Sequence, residues 1–371
     1  MDFAIEAAEL TRVLGIVKGV VPSRSTLPIL QHFLIEASAG RISVRGTCID
    51  MEASTSAPAD VKADGAAAIH ADMLFGLAKR LPKSAIIVVS VADNIATVAA
   101  GKASYKIKTL PVDTFPIASP PEGATLALPA ADLRTLFTST ASATDPSSAF
   151  SYYRGIYLHP LPDPLRLVAV GLDGHRMAYR EIGVSDDWKD IGGLTIPTGA
   201  AQQIVSMIED ESGDVEMIFG HSRMLVRCAG SEISTAVIEC EFPDYSRFLP
   251  KPNGAFAAVK PEDLIDAVER AIVVLDGEGA KVPAVGLAPG AEGLSIVTGK
   301  KGHEVASETL QSDIREETAD VDINANYLTQ MLKLWPDGAP VEIQQAAPGH
   351  PVLIWSKDLP AYRQVIMPFR R

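Results

Sequence analysis

The stretch VGLDGHRMAYR, residues 170–180, sets a carboxylate, a glycine, an imidazole and a guanidinium in a row between two apolar runs. Two readings fit those residue types at that spacing. In the first, Asp173 or a nearby carboxylate orients His175 as a general base and Arg176 clamps an anion, which would make the protein a hydrolase. In the second, Asp173 and Gly174 form a tight turn between two strands. An Asp side chain accepts hydrogen bonds from the backbone amides just ahead of it, and Gly tolerates a left-handed backbone.

Elsewhere the templates for catalysis fail. GLSIVTGKKG (293–302) pairs Gly with Lys, but the spacing is wrong for a phosphate-binding loop and no Ser or Thr follows the Lys. No G-x-S-x-G elbow presents a nucleophilic Ser, and the His303-Glu304 pair lacks the second His of an H-E-x-x-H zinc site. The seven histidines are scattered singly, and Cys48, Cys228 and Cys240 lie far apart with no CxxC pair. No metal, disulfide framework or cofactor is therefore expected, and the thiols suit a reducing compartment. Carboxylate pairs such as Asp186-Asp187 and Glu209-Asp210 stand in polar, loop-like contexts and read as solvated surface. A chain of 371 residues with no recognisable reaction centre points to binding or assembly.

The elements that must carry the turn recur three times. FAIEAAELTRVLGIVKGVV from Phe3, LALPAADLRTLFTSTASAT from Leu126 and FAAVKPEDLIDAVERAIVV from Phe256 each read as a short alternating strand followed by a helix. Leu10, Val13, Leu14 and Val17 mark one helix face, repeated by Leu133, Leu136 and Phe137 and by Leu264, Ala267, Val268 and Ala271. A second strand-helix-turn-strand unit recurs as AAIHADMLFGLAKRLPKSAIIVVS, LTIPTGAAQQIVSMIEDESGDVEMIF and VDINANYLTQMLKLWPDGAPVEIQQ. The closing landmarks Phe115, Phe242 and Met367 fall roughly 125 residues apart. Between the helices, RISVRGTC, LRLVAVGL and RMLVRCAG alternate with period two, as antiparallel strands with one solvated face do. The fold class is α+β, helices packed on antiparallel sheet, in three tandem repeats. The linkers ASPPEGAT and LPKPNGAF divide the chain at 1–121, 122–251 and 252–371.

Bulk properties narrow the partners. With 33 basic against 46 acidic side chains the formal net charge is −13, which excludes a surface that is basic throughout but not a local basic lining. The opening MDFAIEAAEL lacks the basic-then-apolar pattern of a signal peptide, and apolar runs such as AIIVVSVA are strand-length. A soluble, cytoplasmic protein is expected, with no membrane partner.

The triple repeat, with STLPIL (25–30), YYRGIYL (152–158), LDGHRMA (172–178), FPDYSRFLP (242–250) and the terminal VIMPFRR (365–371), resembles the bacterial sliding clamp, the beta subunit of DNA polymerase III. The resemblance covers essentially the whole chain. It implies a head-to-tail homodimer of three-domain subunits, a ring of DNA-clamp domains with helices lining the hole and antiparallel sheets outside. Such a processivity factor has no catalytic site. It encircles double-stranded DNA without reading sequence and tethers the polymerase III alpha subunit, the clamp loader, and other polymerases and repair proteins through short peptide motifs.

Carried over residue by residue, the resemblance implies a hydrophobic peptide pocket. It would be built from Tyr153, from Leu172, Gly174, His175, Arg176 and Met177, from Pro243, Arg247 and Phe248, and from Ile366, Met367, Pro368, Phe369 and Arg370. Leu172 stands where the family usually has Thr, and Phe369 and Arg371 alter the usual tail. A divergent copy with a specialised partner or altered inhibitor sensitivity is the alternative, and a hydrolase using Asp173 and His175 a more distant one. The candidate DNA contacts are Arg24, Lys79, Arg80, Arg270 and Lys333, of which Arg24, Arg80 and Arg270 match places where the family is basic, while Lys83 and Arg134 read as ordinary surface. The implied dimer seam sets Tyr105 and Ile107 against Ile272 and Val273.

Overall fold

The computed structural model describes residues 1–252, 257–277, 283–300, 303–314, 320–336 and 338–369. Among them stand six α-helices, two to each repeat. These are α1 (Ala7–Lys18) and α2 (Ala71–Arg80), α3 (Ala130–Ala141) and α4 (Thr198–Met207), and α5 (Pro261–Gly277) and α6 (Ala325–Leu332). Helix α1 shows how the pattern works. Ala7, Leu10, Val13, Leu14 and Val17 form one buried stripe, with Glu9 in the first turn and Lys18 in the last to suit the helix dipole. Helix α6 starts at Asn324, whose side chain accepts the amides of Asn326 and Tyr327 at 2.9 and 3.2 Å.

The chain folds into two compact units, and these are not the three repeats. One comprises residues 1–134 and 199–237, the other 135–198 and 238–371, so the middle repeat is shared. Strand pairing is the physical reason. In the first unit Ser231–Ala236 of the middle repeat lies antiparallel to Met51–Pro58 of the first, Ile233 opposite Ala53, and one thirteen-stranded sheet runs through both. In the second unit Arg176–Gly183 pairs with Tyr362–Ile366, Met177 opposite Val365, which makes a nine-stranded sheet of the middle and third repeats. Ala284–Gly290, Gly293–Lys300, His303–Leu310 and Val321–Asn324 add a four-stranded sheet.

Within the first unit α1 and α2 touch, joined by an ion pair of Lys18 with Asp72 at 3.2 Å. The linker after the first repeat is bound down: the amide of Ala118 donates to buried Glu52 at 3.0 Å, and Glu52 also takes the guanidinium of Arg45. In the second unit the two faces of the nine-stranded sheet are both covered. Tyr362, Ile366, Val352 and Ile354 join the cluster of α5 and α6, whereas Leu172, Met177, Tyr179, Leu353 and Val365 cluster separately. Alternation along each strand assigns these two sets to opposite faces. A Cβ at Gly171 would lie 2.2 Å from the carbonyl oxygen of Thr140, so only glycine lets this strand pass that backbone.

Candidate functional site

The 170–180 stretch is a hairpin turn. Arg166–Leu172 and Arg176–Gly183 pair antiparallel, Leu172 opposite Met177, and Gly174 at φ +86° makes the reversal. The Asp173 carboxylate closes it: Oδ1 accepts the amides of His175 and Arg176, each at 2.9 Å, and Oδ2 accepts Nε of Arg176 at 2.9 Å. The carboxylate thus engages the backbone of His175 rather than its imidazole. The imidazole is exposed and stacks near Tyr327, 6.3 Å between ring centroids. The hydrolase reading fails on this geometry, because the carboxylate is occupied by the turn and orients no base.

Arg176 is also held from the far side. Its Nη1 donates to Oε1 of Gln330 at 2.8 Å, and its guanidinium lies 4.3 Å from the ring centroid of Tyr327. Both partners stand on α6. The tail docks on the same turn, where the amide of Met367 donates to the carbonyl of His175 at 2.7 Å, and then on the strand Val321–Asn324, where the amide of Phe369 donates to the backbone carbonyl of Asp322 at 2.8 Å.

Beside the turn lies a cavity of about 290 Å³. Of the residues implied by sequence, Tyr153, Leu172, Gly174, Arg176, Met177, Pro243, Phe248 and Met367 line it. Tyr152 and Val365 line it as well and were missed. Ile366 does not line it. Its side chain is fully buried in the opposite cluster, because a strand turns successive side chains to opposite faces and Val365 takes the pocket side. The alternation of Val365 and Met367 about Ile366 carried that signal. His175, Pro368 and Phe369 stand near the turn without lining the cavity, and Phe369 is exposed. Arg370 lies outside the described residues, as does Arg371. Arg247 points into solvent and pairs with Asp244 at 2.9 Å. Hydrogen bonds from Ser246, then from Arg247, hold the Asp244 carboxyl below the usual carboxylate range.

The lining suits an apolar ligand with few polar anchors: aromatic rings, Met and Leu form the walls. Phe150, exposed at 58%, extends it outward, its ring centroid 5.7 Å from those of Tyr152 and Tyr153. Burial raises the Tyr153 phenol above its ordinary range, so it stays a neutral hydroxyl at the rim.

The remaining candidates divide. Arg24 and Lys79 are exposed, and neither pairs with a described carboxylate. Arg80, at the end of α2, donates to the carbonyl of Gly76 at 2.9 Å. Arg270 is neutralised by Glu308 through two hydrogen bonds, and Lys333 pairs with Glu269 at 2.7 Å. Arg134 caps α4 by donating to the carbonyls of Ile208 and Glu209. At the expected seam Tyr105 and Val273 are exposed, 40% and 73%. Ile107 is 5% exposed within its own sheet and Ile272 packs on its own core, so neither offers much surface. Among the described residues no cluster of His, Cys, Asp and Glu could hold a metal ion, and no helix is long and apolar enough to cross a membrane.

Comparison with known proteins gives one consistent answer. Residues 1–119 match the N-terminal domain of the DNA polymerase III beta subunit, 127–244 its central domain and 246–370 its C-terminal domain. The beta sliding clamp of Caulobacter vibrioides is 26% identical over 375 residues and that of Vibrio cholerae 26% over 373, each comparison covering the whole of both chains. The solved polymerase III beta of Caulobacter crescentus, 26% identical, superposes over the full length of both chains with a TM-score of 0.89. A Bartonella birtlesii sliding clamp bound to griselimycin, 25% identical and likewise matched over the full length of both chains, gives 0.92.

Proposed function

Because the chain belongs to the DNA polymerase III beta subunit family, the bacterial beta sliding clamps, we propose that the cavity beside the 173–177 turn is where it holds partner proteins on DNA. The protein is a processivity factor without a catalytic site of its own. It works as a homodimeric ring around duplex DNA and tethers DNA polymerase III and other replication proteins. The single observation that carries the pocket assignment is an apolar cavity formed jointly by the turn, the 242–248 segment and the tail, the places where a short peptide would be expected to dock.

The peptide-contacting set is Tyr152, Tyr153, Leu172, Met177, Pro243, Phe248, Val365 and Met367. Arg24, Lys79 and Arg80 carry the DNA contact, and Tyr105 and Val273 belong to the seam between subunits. The domains run 1–121, 122–251 and 252–371, a division supported by three family matches of similar extent. The protein acts in the cytoplasm, where the chromosome is copied. A second reading keeps the clamp and changes its partner: Leu172 in the pocket wall and exposed Phe150 beside Tyr152 and Tyr153 favour a more apolar peptide than the family's usual one.

The test is a fluorescence-anisotropy titration with a labelled Gln-Leu-x-Leu-Phe peptide. Wild type is expected to saturate, and Met367→Ala to weaken binding by roughly tenfold or more. Equal binding by the two proteins would reject the pocket. No binding by a folded wild-type dimer, with binding restored by a more aromatic peptide, would favour the second reading.

A further inference from the structure

The wall of the pocket that carries Pro243 and Phe248 has no strand to hold it. Between Glu239 and Leu249 the only regular piece is the 3-10 turn Tyr245–Phe248, and Phe248 itself is 54% exposed. The segment is kept in place by aromatic contacts instead. Phe242 stacks on Tyr157 with centroids 4.4 Å apart and planes at 11°, and Tyr157 stacks on His159 at 4.7 Å. His159 closes the bracket, its Nε2 lying 2.9 Å from the Tyr245 hydroxyl.

The proton positions in this bracket follow from one carbonyl. Nδ1 of His159 is 2.9 Å from the carbonyl oxygen of Pro160, which only accepts, so Nδ1 carries the hydrogen. Nε2 of the neutral ring is therefore bare and accepts from Tyr245. We propose that His159 is a positioning residue for partner binding: its neutral imidazole holds Tyr245, and through it Pro243 and Phe248, in the pocket wall, and protonation releases them. This rests on the pocket reading above and adds its regulation.

The neighbouring groups leave His159 as the part that changes. Glu181 on the adjoining strands is engaged by Arg166 at 3.1 Å and by the Tyr179 hydroxyl, and Asp244 by Ser246 and Arg247. Cys240 lies on the Tyr157 side. Burial, then the charges around it, pushes the Tyr245 phenol up to about 12, so it keeps its proton. Burial pushes the His159 imidazole down, with the Pro160 hydrogen bond opposing. Protonating Nε2 turns it into a donor, so Tyr245 can no longer donate to it and must swing its hydroxyl hydrogen away, and a charge is placed among aromatic rings. The neutral bracket therefore holds at pH 7 and weakens progressively as pH falls below the ordinary imidazole value.

The test uses the full-length protein, the Gln-Leu-x-Leu-Phe peptide and two variants, at about pH 7.5 and about pH 5.5, either side of the ordinary imidazole value. His159→Gln keeps an acceptor that does not titrate; His159→Leu removes it. Amide protection factors across residues 240–249, corrected for intrinsic exchange, report the bracket without reference to peptide. Wild-type affinity is expected to fall roughly tenfold in acid beyond any fall seen in His159→Gln, and His159→Leu to be weak at both pH values. Protection of the segment should follow the same order. A His159→Leu variant that binds and protects like wild type at about pH 7.5, or an acid loss just as large in His159→Gln, would overturn the proposal. If no protein binds this peptide or a more aromatic one, the pocket reading fails, while protection of the segment still decides the role of His159.

Discussion

The guanidinium of Arg176 lies 4.3 Å from the ring centroid of Tyr327, so the turn of one repeat is fastened to the second helix of the next. With Asp173 and Gln330 on its other sides, Arg176 is a rivet of the pocket rather than an open hand for the peptide. Arg176→Ala should cost about 1–3 kcal/mol in urea unfolding, because it leaves Asp173 and Gln330 short of a partner. It should weaken peptide binding as well. Tyr327→Leu should cost less, about 0.5–2 kcal/mol, and act in the same direction.

Close packing at Gly171 gives a sharper stability test. Gly171→Ala drives a methyl into the Thr140 carbonyl at 2.2 Å and should destabilise by about 1–3 kcal/mol. Gly183→Ala meets nothing within 4 Å and should be neutral within about 0.5 kcal/mol. Thermal melts of the two side by side separate steric exclusion from the general effect of adding a methyl.

Acid should loosen the first unit through His32. This imidazole is 7% exposed, its Nδ1 2.8 Å from the Pro28 carbonyl and its ring 5.2 Å from His70. Burial chiefly pushes its pKa down; the Pro28 bond opposes and His70 adds to the fall. A lowered value means the folded chain binds fewer protons than the unfolded one. Stability should therefore decline as pH drops below about 6.5 and level off once both forms are protonated. Urea midpoints between about pH 8 and pH 5 should show this slope, flattened in His32→Gln.

Salt should discriminate among the basic residues. Removing a cation that contacts phosphate lowers the slope of log K against log salt by about 0.9. Arg24→Gln and Lys79→Gln should each do so in retention of the protein on circular duplex DNA. Arg270→Gln should leave the slope nearly unchanged, because Glu308 already neutralises that arginine. An equal effect from all three would show that the Glu308 pair opens on DNA.

Much of this was legible in sequence because it is local. The spacing of Leu10, Val13, Leu14 and Val17 marks a buried helix face, and the order Asp, Gly marks a turn, from interactions spanning a few residues. The partners of Arg270, Arg134 and His159 were not legible. They are a carboxylate 38 residues away, carbonyls 74 and 75 residues away and a hydroxyl 86 residues away. No periodicity encodes such meetings. The error at Ile366 was of another kind: strand alternation about Met367 was present in the sequence and pointed to Val365.

By itself the sequence determined the helix and strand segments, their threefold recurrence and the motifs that gather at one pocket. These rest on hydrophobic period and turn chemistry, which act along the chain. The tertiary structure alone decided that the middle repeat would be divided between two sheets, that Arg176 would be fastened to Gln330, and that certain basic side chains would be neutralised. Each of those outcomes depends on hydrogen bonds and ion pairs between segments far apart in the chain, whose partners meet only once the chain has folded.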